Sequence, residues 1–226
     1  MLEAIHLGCI RGDRRLFRDL NFSLEPGNLL ELRGPNGGGK TSLLRILCGL
    51  ATPAEGEVRW NGTNIRRLRE EYFASLTYVA HLNGVKDELT AIENLLVAQR
   101  SAGHNLSKIE AEGHLERVGL SRQRNLATRF LSAGQRRRLA LARLSASNAS
   151  LWMLDEIFAS LDDDGVGIAR DLIEIHLESG GMAVVATHQD LRLTKGSSQV
   201  IELLGARTCG VPDGAAPLGS STRPPV

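Results

Sequence analysis

The stretch Leu29-Leu30-Glu31-Leu32, followed after Arg33 by Gly34-Pro35-Asn36-Gly37-Gly38-Gly39-Lys40-Thr41-Ser42, decides how this chain folds. A short apolar strand runs into a glycine-rich turn, and a helix carrying Leu43, Leu44, Ile46 and Leu47 leaves it. Residues 34–41 match the pattern GxxxxGKT in the setting its mechanism requires, after a strand and at the opening of a helix. The glycines let backbone N–H groups turn inward around a β-phosphate, and the helix N-terminus adds the positive end of its dipole. Lys40 is placed to neutralise β/γ oxygens and the Thr41 hydroxyl to ligate Mg²⁺. All nine residues from Gly34 to Ser42 are therefore candidates for holding a nucleotide.

Upstream, Leu16, Phe17, Leu20, Phe22 and Leu24 closed by Pro26-Gly27 predict an antiparallel β region, which a hairpin through Val58, Trp60 and Asn61-Gly62 extends. Between Leu89 and Ala146 the apolar spacing turns helical, with Leu95, Leu96, Leu115, Val118, Leu120, Leu139, Leu141 and Leu144 separated by charges. Two near-continuous apolar runs, Leu151 to Leu154 and Met182 to Ala186, have the character of parallel strands covered on both faces. The expected class is α/β. From Gly205 onward Gly, Pro, Ser and Ala dominate and large apolar residues almost vanish, so a disordered tail is expected over 205–226.

The run Leu151-Trp152-Met153-Leu154-Asp155-Glu156 delivers two acids at the carboxyl end of a buried strand, where α/β sheets hold their ligands. Asp155 is a candidate for holding Mg²⁺ and Glu156 for polarising an attacking water as general base. Two acids at a strand end more often face solvent; beside a phosphate cradle they favour hydrolysis over simple nucleotide binding. Thr187-His188 ends the next strand and puts an imidazole at the γ-phosphate edge. In Leu131-Ser132-Ala133-Gly134-Gln135, Ser132 is a good helix N-cap and Gly134 allows close backbone approach. That helix start is a second anion site facing away from its own phosphate loop, so it can serve only the ATP of another copy.

With 226 residues, 42% hydrophobic and 23% charged, the chain has enough apolar content for one well-buried domain. Its net charge of +1 removes a general electrostatic case for nucleic acid or an anionic membrane surface. Arg66, Arg67, Arg69 and the run Arg136 to Arg138 have acids nearby, and solvated faces are the expected account of them. No apolar run approaches the roughly 20 residues that cross a bilayer and no leader pattern opens the chain, so a cytoplasmic location is expected. Cys9, Cys48 and Cys209 lack disulfide or zinc spacing, and His6, His81, His104, His114 and His176 lack ligand partners.

The pentapeptide 131–135 resembles the signature of ABC ATPases, and Ala159-Ser160-Leu161-Asp162 after the acidic strand resembles their D-loop, which packs across a dimer interface. His188 resembles their switch histidine. The resemblance covers nearly all of the chain to Leu204. It is most specific to the haem-exporter ATPase family of cytochrome c maturation, CcmA. Four features carry that: the segment His81 to Lys86 with Leu89-Thr90 and Glu93-Asn94-Leu95, the alanine form of the signature with its arginine-rich continuation, the strand with Leu151-Trp152, and the ending Thr187-His188-Gln189.

The resemblance implies a P-loop ABC ATPase fold over residues 1–204: a RecA-like core, an antiparallel β subdomain and an α-helical subdomain spanning about 84–148. It implies ATP and Mg²⁺ as cofactors, with His81, Ser132, Gly134, Gln135 and Asp162 joining the nucleotide site. It also implies a second copy in an ATP-sandwich dimer and integral membrane subunits of the cytochrome c maturation complex, at the cytoplasmic face of the bacterial inner membrane. Haem export or release from a haem chaperone is the implied work; another small-molecule cargo is the alternative. A soluble P-loop kinase or GTPase fits less well, since no NKxD motif is present and a kinase gives no reason for the signature. A DNA-acting ABC protein would need a long coiled-coil insertion. Three positions depart from the general ABC pattern: His81 where glutamine is usual, Ile157 in place of proline after Glu156, and Arg11 or a neighbour where an aromatic would stack on adenine.

Overall fold

Three strands open the chain, β1 (Leu2–Arg11), β2 (Arg14–Leu24) and β3 (Asn28–Arg33), followed by helix α1 (Lys40–Leu47) and the hairpin β4 (Glu55–Trp60) and β5 (Thr63–Asn64). Two short helices, α2 (Ile65–Leu68) and α3 (Glu70–Ser75), lead to β6 (Leu76–Val79). Helices α4 (Ala91–Ser101), α5 (Lys108–Arg117) and α6 (Ala133–Ser145) come next, and β7 (Leu151–Asp155), α7 (Asp163–Glu178), β8 (Met182–Ala186) and β9 (Ser197–Glu202) complete the order. This computed structural model describes residues 1–80, 84–188, 191 and 197–205.

The strands form two sheets. One is four-stranded and antiparallel in the order β2-β1-β4-β5; the other is five-stranded and parallel in the order β6-β7-β8-β3-β9. The period of two sorts the parallel sheet's side chains onto two cores. Leu30, Leu32, Met153, Val184 and Ala186 face α1 and the antiparallel sheet, in one cluster with Leu43, Leu44, Leu47, Leu2, Leu7 and Val58. Leu29, Trp152, Leu154, Ala183 and Val185 face the opposite way, into a cluster with Leu95, Leu115, Leu139, Leu141, Leu144 and Ile173. Burial on both faces explains why β7 and β8 read as unbroken apolar runs.

Helices α4 to α7 start on strong local signals. Thr90 with Glu93, Ser107 with Glu110, and Ser132 with Gln135 each form a reciprocal capping box at α4, α5 and α6, and the Asp162 carboxylate caps α7. Strands β6 and β9, at the two edges of the parallel sheet, carry weak patterns, and neither they nor the amphipathic helix α7 was defined from the sequence. Of the tail expected to be disordered, 205–226, residues 206–226 lie outside the described residues.

Candidate functional site

The carboxyl ends of β3, β7 and β8 meet at one cleft of about 630 Å³, because the three strands run parallel and side by side. Pro35 to Ser42 line it together with Asp155, Glu156, His188, Ala159, Arg11, Arg14 and Leu16. Gly39 caps α1 at φ 110, a left-handed conformation that lets the loop turn straight into the helix at Lys40. Lys40 is 6% exposed, and its Nζ donates to the carbonyls of Gly34 at 2.7 Å and Pro35 at 3.3 Å.

Three polar groups converge on the His188 imidazole. Its Nε2 lies 2.8 Å from Asn36 Oδ1, 3.2 Å from Glu156 Oε1 and 3.2 Å from Lys40 Nζ. Glu156 Oε1 is also 3.9 Å from Lys40 Nζ. Glu156 sits at φ 53, and its N–H donates to Ala186 O at 2.9 Å, so the chain reverses at the end of β7. This turn aims the carboxylate at the lysine and histidine. Asp155, one residue earlier, is 1% exposed, and neither carboxylate oxygen meets a hydrogen-bond donor among the described residues. A buried carboxylate without donors is costly unless a cation satisfies it, which fits a divalent ion in this cleft.

Ser132, Gly134, Gln135, Ser160 and Asp162 line a different cleft, of about 600 Å³, with Gly119, Arg138 and Asp164. Ser132 Oγ accepts from the Gln135 N–H at 3.2 Å, and Gln135 Oε1 accepts from the Ser132 N–H at 2.9 Å. The serine hydroxyl proton and the glutamine NH₂ remain able to donate outward. A Cβ at Gly134 would lie 2.9 Å from Ser160 O, so the close approach this glycine permits is to the 159–162 loop of the same chain. Asp162 accepts from the Gly165 N–H at 3.1 Å and from Arg138 Nη2 at 2.6 Å; within one chain it caps a helix and holds an arginine. Those contacts keep its carboxyl below its ordinary range, the Arg138 bond being the largest cause.

The structure brings together the phosphate loop, the acidic pair and His188, and it keeps the 131–135 set apart from them. His81 lies outside the described residues. Arg11 and Arg14, opposed across the end of the first hairpin, both line the main cleft, so guanidinium groups stand where an aromatic was sought. Ile157 is fully buried in the helical-side cluster, which anchors the turn after Glu156 without proline.

One expectation fails: Arg137 is not on a solvated face but 3% exposed. Its Nη2 donates to Glu156 O at 2.9 Å, Nη1 to Ala80 O at 3.3 Å and Nε to Ala159 O at 3.4 Å. Burial lowers its pKa, while the charges of Asp155 and Glu156 act the other way. The missed signal was its spacing, since 137, 140, 141 and 144 share one buried stripe of α6. Leu203 also escaped notice; its carbonyl would lie 2.1 Å from a Cβ at Gly34 and 2.5 Å from one at Gly38.

Residues 17–159 match the family model described as ABC transporter. The chain is 52% identical to the cytochrome c biogenesis ATP-binding export protein CcmA of Nitrosospira multiformis over 89% of its length and 98% of that protein. This chain belongs to the ABC transporter family, in its CcmA branch. The CcmA of Dechloromonas aromatica is 49% identical over 90% of this chain and all of its own length. The solved fold of the ATP-binding cassette MJ0796, a dimer in a post-hydrolysis state with ADP and Pi, superposes with a TM-score of 0.78 at 24% identity, covering 90% of this chain and 94% of that one. Among the described residues of this ABC ATPase, no helix is long and apolar enough to cross a membrane.

Proposed function

We propose that this chain is the ATP-hydrolysing subunit of a membrane-bound ABC complex that drives haem export, or release of haem from its chaperone, during cytochrome c biogenesis. The names of the CcmA relatives support the cargo process, and near-complete coverage of those proteins supports carrying it to this chain. The observation that carries the catalytic reading is the convergence of Lys40, Glu156, Asn36 and His188 within hydrogen-bonding range at the mouth of the phosphate loop.

In this reading the backbone of residues 34–41 and Lys40 hold the phosphates of ATP. Thr41 and Asp155 would hold Mg²⁺, which would supply charge neutralisation to the triphosphate. The Glu156 carboxylate takes a proton from water as the water oxygen bonds to the γ-phosphorus and the bond to the ADP oxygen breaks. His188, positioned by Asn36, steadies the γ-phosphate. Ser132 and Gly134 of the partner subunit complete the site, because in their own chain they line a separate cleft. Integral membrane subunits of the maturation complex, at the cytoplasmic face of the bacterial inner membrane, receive the resulting motion.

Glu156→Gln tests the chemistry. Turnover should fall about 10²-fold or more while MgATP binding, read by equilibrium dialysis, persists; undiminished turnover removes the assigned base. The cargo is tested by co-purifying the chain with its membrane subunits and following haem-chaperone release with and without ATP. Release that ignores ATP counts against haem and favours another small molecule.

A further inference from the structure

Arg137 is a buried cation that has no carboxylate among its hydrogen-bond partners in the described residues. All three of its guanidinium nitrogens donate to main-chain carbonyls, and those carbonyls belong to two different segments of the core: Ala80, just beyond β6, and Glu156 with Ala159, just beyond β7. Glu156 O also accepts from the Ala159 N–H at 3.0 Å, so Arg137 binds both ends of the turn that carries the proposed base. Ile157 and Phe158 at the centre of that turn are buried, at 0% and 3% exposure. The turn is therefore pinned by side chains on one side and by a single guanidinium on the other, and the guanidinium comes from α6, the helix whose N-terminus is Ser132.

We infer that Arg137 is a positioning residue for ATP hydrolysis, which fixes the main chain at Glu156 and so ties the orientation of the signature helix to the placement of the base. The geometry makes the coupling direct. Glu156 holds a left-handed conformation, φ 53, that a non-glycine residue adopts at a cost and keeps when its surroundings enforce it. A planar fork with donors in three directions can enforce it, whereas an ammonium or an amide reaches one or two of the carbonyls. A shift of α6 relative to the core withdraws the donors from Glu156 O and Ala159 O together. The aim of the carboxylate at His188 and Lys40 then relaxes, and the base is in register when the helix and core are docked.

This inference rests on Glu156 being the base, and its test separates the two. Steady-state ATPase rates and single-turnover hydrolysis of γ-labelled ATP are measured on the full chain carrying Arg137→Gln, Arg137→Lys, Glu156→Gln and the double change Arg137→Gln with Glu156→Gln. Arg137→Gln should lower kcat about tenfold with the KM for ATP unchanged, as expected when a charge-assisted hydrogen bond is lost only from the aligned state. Arg137→Lys, which keeps the charge, should recover part of kcat and serves alone if the glutamine protein does not fold. The double variant should be no slower than Glu156→Gln. A parental kcat in the Arg137 variants, or a double variant slowed by the full Arg137 factor below Glu156→Gln, overturns the positioning role while leaving Glu156 in place. Parental turnover in Glu156→Gln overturns the reading of the base instead.

Discussion

Asp155 concentrates the chemistry of the site in one side chain. It is buried at the end of β7, its oxygens meet no donor among the described residues, and its charge contributes to raising the neighbouring Cys48 thiol to about 12, where burial is the larger cause. A buried carboxylate that accepts no hydrogen bond costs the protein stability, and a bound cation relieves that cost. Asp155→Asn should therefore melt at the same temperature as the parent or higher without ligand, yet lose the stabilisation that MgATP gives the parent. Thermal melts with and without MgATP check both halves. The sequence showed this residue plainly, because an apolar run ending in two acids beside GxxxxGKT leaves few alternatives. It could not show the bond from Asn36 to His188, which joins residues 152 positions apart.

At the scale of elements, α6 does two jobs at its first turn. Ser132 caps the helix, and its hydroxyl proton is left to donate outward. The jobs separate on substitution. Ser132→Ala loses the cap and should cost about 1 kcal/mol of stability. Ser132→Asp caps as well as serine but sets a negative charge against the triphosphate of the partner site. It should keep the parental melting temperature and lose most ATP turnover, and a parental turnover would show that no phosphate meets this helix start. The Ser132 cap, the phosphate loop and the two-sided strands β7 and β8 were legible because each is written in adjacent residues. Strand β9, Ser197–Glu202, was not: it is a polar edge strand whose existence depends on pairing with β3. Arg137 was misread for a related reason, since three successive arginines look solvated until one is set on the helix's buried stripe.

Across the whole molecule, two apolar clusters hold the parallel sheet between them, and the helical-side cluster contains a titratable weak point. His176 stacks on Trp152 at 3.8 Å and 3°, and its Nε2 lies 3.1 Å from Met182 O. A Cβ at Gly181 would fall 2.2 Å from its ring. Burial holds its pKa below the ordinary value of 6.5, so the unfolded chain binds the proton more readily. Stability is then full above that value and falls as pH drops through it, with His114 contributing in the same direction. His176→Phe should keep the stack and flatten the loss of melting temperature between neutral and mildly acidic pH. An unchanged slope would mean that His176 does not carry it.

The placement of the phosphate loop and the 131–135 helix start on separate clefts gives the account its central claim, that each ATP is closed by two copies. The most direct measurement is a crystal structure of the Glu156→Gln protein with MgATP. The account predicts two nucleotides at the interface of a symmetric dimer, each γ-phosphate contacted by Lys40 of one copy and by Ser132 of the partner subunit. A nucleotide bound by Lys40 with every Ser132 turned to solvent would contradict it.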